Sequence, residues 1–595
     1  MTVVNDLNVH ASDREATASS VRTAVLDNAH LGDIRGALGS IARDDTAPRA
    51  TLLARLKTLL AIVGPGLIVM VGDNDAGAFG TYTQAGQNYG TTLLWTLLLL
   101  IPVLYVNQEM VVRLGAVTGV GHARLIFERF GKFWGAFSVI DLLVLNALTI
   151  VTEFIGITFA LHFLGVSQFW GVLASAVIVM LAVSTGDFRR FERFGIVLVF
   201  GSLLLVPVIL MVHPPVGQIA ADFFVPKMPH DAKLSEVMLL IVAIVGTTVA
   251  PWQLFFQQSY IVDKRITPRF IRYERMDLCI GIVLVVVGAV AMISFCAAVF
   301  AGKPEFGNYT DALGTAVGLE KYAGRLPAVL FALALLDACI IGAAAVSLST
   351  AYAIGDVFAV KHSLHRKPWD AKGFYSVYCG LIVLAAVLVL TPGTPLGLLT
   401  NAVQTLAGVL LPSATVFLLL LCNDRHILGP WINSTRLNLF TGAVVAGLVM
   451  LSVILTAAVL FPDLGEEWII GILVGGSVLA LAVTALVKLY EMSSRRNASF
   501  RFKPKPPLEP IPFRWNRNGA PDSCLDAFSS REPVATSLEN ALADRDTWRM
   551  PPLDRLPPAR LSPLSRIWMI VLRGYLVVAA GLVLLRIVQL ATVGA

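Results

Sequence analysis

The chain has 595 residues, of which 56% are hydrophobic and only 14% charged, and its mean hydropathy is +0.73. A soluble chain carries roughly 25% charged residues, so the composition excludes a soluble globular protein and points to an all-α, polytopic membrane protein. The formal charge of +6 requires no nucleic-acid partner, because the basic residues gather in loops on one side of the membrane.

Residues 1–50 are polar and lack the charged and apolar regions of a cleavable signal. They read as a cytosolic N-terminal segment. About twelve apolar stretches then follow that are long enough to span a bilayer, near 59–88, 92–112, 136–163, 169–186, 195–213, 235–260, 277–301, 326–355, 374–391, 396–422, 438–461 and 468–490. Basic loops follow the even-numbered spans. They hold Arg113, Arg124, Arg129 and Lys132; Arg189, Arg190 and Arg193; Lys264, Arg265, Arg269 and Arg272; Lys361, Arg366, Lys367 and Lys372; Arg425 and Arg436. The opposite loops are poor in Lys and Arg, and 86–92 and 391–395 have none. The positive-inside rule therefore predicts a multi-pass protein of the inner (plasma) membrane with its N-terminus in the cytosol.

Residues 491–563 are rich in Pro, Arg and Asp, as in Lys503-Pro-Lys-Pro-Pro507, and read as a cytosolic, largely irregular tail. The apolar segment 567–592 carries Arg573 and Arg586, and its longest uncharged run, 574–585, is too short to span alone. It either spans with snorkelling arginines or lies in the interface. The six cysteines show no CxxC spacing and five fall in or beside apolar segments, so they fill core rather than form disulfides or zinc sites. No P-loop, convincing triad or Cys/His cluster is present, so no enzyme activity and no cofactor are expected.

Two of the apolar stretches are broken at their centres by polar, helix-weakening residues. The first reads Gly64-Pro65-Gly66 through Gly72-Asp73-Asn74-Asp75-Ala76-Gly77-Ala78, and the second Gly246-Thr247-Thr248-Val249-Ala250-Pro251-Trp252. A carboxylate at bilayer depth is costly and usually lines an ion or substrate path. An interrupted helix also frees backbone carbonyls that can bind a cation. The first break lies in an outward span, and the sixth span, which holds the second, runs inward. That is the arrangement of a five-plus-five inverted repeat. The expected organisation is a first repeat over 51–215 (spans 1–5), a second over 216–424 (spans 6–10), two additional spans over 425–490, the tail 491–563 and the apolar segment 564–595.

These residues resemble the NRAMP divalent-metal transporters between about residues 60 and 440. The family's first-span pattern, Asp-Pro-Gly-Asn followed by Phe and Gln-Ala-Gly, fits Asp75-Ala76-Gly77-Ala78-Phe79 and Gln84-Ala85-Gly86. The end of the second span is similar to Gln108-Glu109-Met110 through Arg113-Leu114-Gly115 and Thr118-Gly119. The third-span Glu-x-x-Gly fits Glu153 to Gly156, and the sixth-span Gly-Ala-Thr-x-Met-Pro-His fits Gly246 to Trp252. The tenth-span Gln fits Gln404, and the loop after it fits Asp424 to Ser434. The resemblance implies a LeuT-like fold. It also implies a site in which Asp75, Gln404 and the carbonyl or hydroxyl of Thr247 surround a divalent ion; Asp73 and Asn74 are extra polar groups beside Asp75 that either hold ion-bound water or cap the helix break.

The departures carry the substrate prediction. Where the family has an Asn ligand this chain has Ala78, and where it has a Met ligand this chain has Ala250. Methionine sulfur favours transition metals over hard ions, and its loss opens space. Mg²⁺ prefers oxygen and usually keeps several waters. The pattern resembles the prokaryotic NRAMP-related magnesium transporters. The family's proton relay is thinned as well. Trp252 and Gln257 stand where it has His, Ile150 where it has Asp, and of the relay only Glu153 remains. Glu153 and Trp252, with Ala78, are the expected permeation-path residues, and a structural hydrogen bond is an equally good reading of Glu153.

The expectation is import of Mg²⁺, and of Mn²⁺, as a partly hydrated ion without proton coupling. The expected partners are the divalent ion as substrate and the lipid bilayer, with no nucleic acid; the sequence names no protein partner, and a monomer is plausible. An inward potential of 100 mV supplies roughly 4.6 kcal/mol for a divalent ion. Three alternatives stay open: a proton-coupled Mn²⁺/Fe²⁺ importer, a carrier of another hard cation such as aluminium, and a membrane sensor that does not transport.

Overall fold

The computed structural model describes residues 24–229, 232–392, 396–461, 465–501 and 545–557, and isolated positions between 559 and 581. Each of the twelve apolar stretches falls on helix. Among the described residues, eight helices are long and apolar enough to cross a membrane, or up to nine if a bent pair is one span.

The first span is in pieces. Helix Leu52–Ile62 meets Pro65–Val71 at a bend of 53°. Gly64 makes the corner with φ 154°, a backbone conformation that side-chain-bearing residues rarely adopt, and Pro65 opens the next helix with its φ already set. That helix stops at Gly72, and a new one, Ala76–Tyr89, starts after Asp75. The sixth span divides the same way, into Leu234–Thr248 and Pro251–Asp263. The fifth span is interrupted by a 3-10 turn at Ser202–Leu204. Pro207 has no N–H to offer Leu203 four residues back, so the regular ladder fails there.

The core lies where the first, third, sixth, seventh and eighth spans meet. Small residues let backbones close on one another. A Cβ at Gly156 of the helix Lys132–Phe163 would lie 2.4 Å from Cys339 Sγ and 2.9 Å from Ala76 Cβ. The Gly of the third-span motif therefore brings the first, third and eighth spans together. A Cβ at Gly66 would meet Leu278 Cα at 2.7 Å, which seats Pro65–Val71 on the seventh span, Ile271–Phe300. With each broken span leading a set of five, the architecture is the LeuT-like five-plus-five arrangement, extended by Thr435–Leu460 and Glu466–Arg501.

Two regions outside the spans are more ordered than their composition suggests. Residues 24–45 form a 3-10 turn, Asn28–His30, and a hairpin pairing Ile34–Gly36 with Gly39–Ile41. Of the tail read as irregular, the last long helix continues to Arg501, and 545–557 packs back on the bundle. There the Arg545 guanidinium stacks on Trp431, 4.1 Å from the ring centre, and Met550 N–H donates to Val117 O at 3.3 Å. Residues 502–544 and most of 567–592 lie outside the described residues. Within the second span, Arg113 Nε donates to Glu109 Oε2 at 2.9 Å, an i,i+4 pair.

Candidate metal site

At the first break the backbone turns through Gly72, Asp73, Asn74 and Asp75, all buried. Asp75 is the N-cap of Ala76–Tyr89 and accepts from Ala78 N–H at 2.9 Å. Glu153 reaches the same helix end from the third span and accepts from Ala76 N–H at 3.2 Å. Two carboxylates thus converge on one helix N-terminus, where the unpaired N–H groups and the dipole favour negative charge. Because Ala76 N–H is taken by Glu153, the carbonyl of Gly72 has no helical donor four residues ahead.

The second break leaves Val249 and Ala250 extended, with ψ 81° and 143°. Pro251 has no N–H, so the Thr247 carbonyl, four residues back, has no intrahelical donor. This is the carbonyl that the family resemblance assigns to the ion, and the covalent structure alone frees it. The two breaks are tied to each other. Tyr82 OH and Thr248 Oγ1 are 2.7 Å apart, and Gln253 Nε2 donates to Asp73 Oδ1.

Sequence reasoning missed Gln253 and assigned Gln108 only to a motif. Gln108 Nε2 donates to Gln253 Oε1 at 3.0 Å, so a relay of amides from the second span through the sixth orients Asp73. Three glutamines on one apolar half-helix, Gln253, Gln257 and Gln258, at i,i+4 and i,i+5 spacing, were the available signal. Asn74 turns its amide toward the seventh span and donates to Val285 O at 3.3 Å. Several buried oxygens around the breaks have no hydrogen-bond partner among the described residues: Asp73 Oδ2, Asn74 Oδ1, Gln108 Oε1 and Glu153 Oε1. Such groups are costly to leave bare and suit a cation or its water.

The remaining predicted residues divide. Ala250 and Ala78 are buried and contribute no side-chain ligand. Trp252 is fully buried, with its ring beside the first break: a Cβ on Gly72 would lie 3.8 Å from Trp252 Cη2. Its carbonyl accepts from Ser349 Oγ at 2.9 Å. Gln404 lies on Leu396–Cys422, and its side chain is outside the described residues. Of two other intramembrane acids, Asp141 on the third span accepts from Ser413 Oγ at 3.0 Å and shares a small pocket with Pro251 and Phe255 of the sixth. Asp337 lies against Gly201, at the interruption of the fifth span, where a Cβ would meet its carboxylate at 2.2 Å.

A cavity of about 430 Å³ leads toward this site from the face opposite the basic loops. Asn88, Tyr89, Tyr309 and Asp311 line its outer part, and Ala76, Gly77, Thr152 and Gly156 line the part next to Asp75 and Glu153. On the other face the helices are closed. Lys264, fully buried, donates to Ile62 O at 2.6 Å, to Val63 O at 3.0 Å and to Glu192 Oε1 at 2.5 Å. Asp277 accepts from Gly64 N–H at 3.1 Å and Gly66 N–H at 2.7 Å. The first half-helix is thereby pinned at its N-terminus.

The chain is similar to known proteins over most of this region. It is 28% identical over 433 residues to the Divalent metal cation transporter MntH of Burkholderia ambifaria, covering 69% of this chain and 92% of that protein. It is 29% identical over 402 residues to the Divalent metal cation transporter MntH 1 of Pseudomonas aeruginosa, covering 64% and 87%. Its fold matches the crystal structure of the Eremococcus coleocola manganese transporter with a TM-score of 0.60 at 21% identity, covering 78% of this chain and 99% of that one. The model of the family described as natural resistance-associated macrophage protein-like, Nramp, matches residues 66–458. That match takes in both breaks, and the chain belongs to the Nramp family.

Proposed function

We propose that this protein is a divalent-metal transporter that imports Mg²⁺, and Mn²⁺ with it, as a partly hydrated ion by alternating access. The relatives named as divalent metal cation transporters support the general reading. The observation that carries the finer one is the donor set at the two breaks. It offers oxygen from Asp73, Asn74, Asp75 and Thr247, and neither break carries a methionine, with Ala250 and Ala78 leaving room. Mg²⁺ takes oxygen and keeps waters, and a site without thioether loses its preference for soft metals. Asp75 is the charged ligand, Thr247 a carbonyl ligand, and Asp73 and Asn74 hold ion-bound water. Gln404 completes the set from the tenth span.

The driving force is the ion gradient and the membrane potential. Trp252 and Gln257 have no group that titrates near physiological pH, unlike the His they replace. The basic loops face the cytosol of a plasma membrane in this reading, so the cavity beside Asp75 faces outward. A second reading has its own observation. Glu153 and Asp75 share one helix end, and a carboxylate pair can hold one proton between its members, which fits proton-coupled Mn²⁺ import.

The test is uptake into proteoliposomes under a potassium-set potential, with an internal pH dye. Mg²⁺ entry without acidification supports the uncoupled reading. Mn²⁺ entry with acidification and no Mg²⁺ flux overturns it in favour of the second.

A further inference from the structure

The residues before the first span are folded against the closed face, and their contacts are specific. Asp27 receives Arg366 Nη2 at 2.6 Å and the His362 N–H at 2.9 Å. His30 Nε2 lies 2.9 Å from His362 O. Arg265, at the end of the sixth span, donates to Ala29 O at 2.7 Å and to Asp33 O at 3.0 Å. In the hairpin, Ala37 N–H donates to Glu192, and Arg193 Nε returns a bond to Ala37 O at 3.2 Å. The hairpin also rests on the first span itself, where a Cβ at Gly36 would lie 2.1 Å from Ala61 O.

From these contacts we propose that residues 24–45 are a lid that locks this face shut and undocks before the ion can leave through it. The argument is mechanical. The lid is covalently continuous with Leu52–Ile62 and, through the 53° bend, with the half-helix Pro65–Val71 that ends at the first break. Its other attachments are on different elements: Glu192 and Arg193 on the fifth span, Arg265 after the sixth, and His362 and Arg366 after the eighth. Glu192 is shared, because it accepts from both the hairpin and Lys264, and Lys264 also holds Ile62 O and Val63 O. A swing of Pro65–Val71 that opens this face moves Ala61 to Val63 away from both the hairpin and Lys264. Docking of the lid and closure of the half-helix are then one equilibrium, and lid contacts bias it toward the closed state. The inference rests on the alternating-access reading but not on the identity of the ion.

Hydrogen–deuterium exchange on the full chain in nanodiscs tests it without any transport assay. The variants are Arg366→Asp, Asp27→Arg, the double swap, and Arg265→Asn. Position 265 has φ 68°, which Asn tolerates, so this last variant removes the bonds to Ala29 and Asp33 with little backbone strain. Each single variant is expected to raise amide exchange about tenfold, the effect of losing a charged hydrogen bond from a two-state equilibrium. The rise is expected both in residues 24–45 and in Pro65–Val71, and the double swap is expected to reverse it. Faster exchange in 24–45 with Pro65–Val71 unchanged overturns the proposal, as does wild-type exchange at both places in Arg265→Asn.

Discussion

Asp75 and Glu153 hold the same helix end: Asp75 accepts from Ala78 N–H at 2.9 Å and Glu153 from Ala76 N–H at 3.2 Å. One carboxylate belongs to the first span and the other to the third, so the break in the first span is braced by a neighbour. A Cβ on Gly342 of the eighth span would lie 2.8 Å from the Glu153 carboxyl carbon, so the brace is itself held from behind. The positive end of Ala76–Tyr89 favours negative charge on this pair.

Asp75→Asn separates ligand from cap. Asn caps helices about as well as Asp, so folding should be preserved, with a melting temperature near that of the wild type. Mg²⁺ flux in proteoliposomes should fall at least about a hundredfold, the upper end of what even outer-shell changes cost metal sites. Flux within a factor of a few of the wild type would remove Asp75 from the site.

Ala250→Met places a thioether at the second break. Competition assays should then show Mn²⁺ and Cd²⁺ gaining on Mg²⁺ by about tenfold or more, because sulfur favours softer ions. An unchanged metal ranking would mean that position 250 does not face the ion.

Gln253→Leu removes the donor to Asp73 and leaves Gln108 without its acceptor. A buried polar group stripped of its partner costs about 1–3 kcal/mol. The expected outcome is a lower melting temperature together with a higher KM for Mg²⁺. Gln253→Glu at low pH, where the added carboxyl can donate, should recover part of the affinity.

Gly64→Ala tests the bend. The position has φ 154°, and an added Cβ would lie 2.1 Å from Glu192 Oε1. Overpacking costs about 1–3 kcal/mol before any backbone strain is added. Expression and thermal stability should both drop, whereas Gly90→Ala, with φ 66° but no atom within 4 Å of its added Cβ, should be milder.

The lid contacts also predict a pH response at the closed face. Burial disfavours a charge on His362, but Asp356, whose Oδ1 lies 3.0 Å from Nε2, outweighs it, and with Val360 O and Asp27 it lifts the pKa from 6.5 to about 9. The His30 ring, 5.1 Å away, sits against it. A raised value in the folded state gives stabilisation that is complete below about 6.5 and is lost as pH rises through about 9. Asp27 is also buried, which alone would raise its carboxyl; Arg366 and the Ala29 and His362 N–H groups instead hold it below 3.8. Its contribution is present above 3.8 and is lost as pH falls below that. Tryptic cleavage at Arg35 and Arg43, normalised to a free peptide, should therefore quicken between pH 7 and 9 and lose that slope in His362→Gln.

The sequence by itself determined the class, the spans and the two breaks. Length and apolarity set the helices, because a backbone in lipid must satisfy its own hydrogen bonds. Gly72, Asp75 and Pro251 set where the ladders stop, since these effects are local and covalent. The missing methionine and histidines were likewise visible as residue types. Tertiary structure decided what the breaks face. That Glu153 bonds Ala76, 77 positions away, at the start of the helix that Asp75 caps depends on how the third span packs, and no local pattern encodes it. The Gln108–Gln253–Asp73 relay and the docking of Asp27 on Arg366 join residues 145, 180 and 339 positions apart. Hydropathy and helix period report only a residue's near neighbours along the chain. Pairings at such separations follow from close packing in three dimensions, through the small residues Gly36, Gly66 and Gly156 that let the backbones meet.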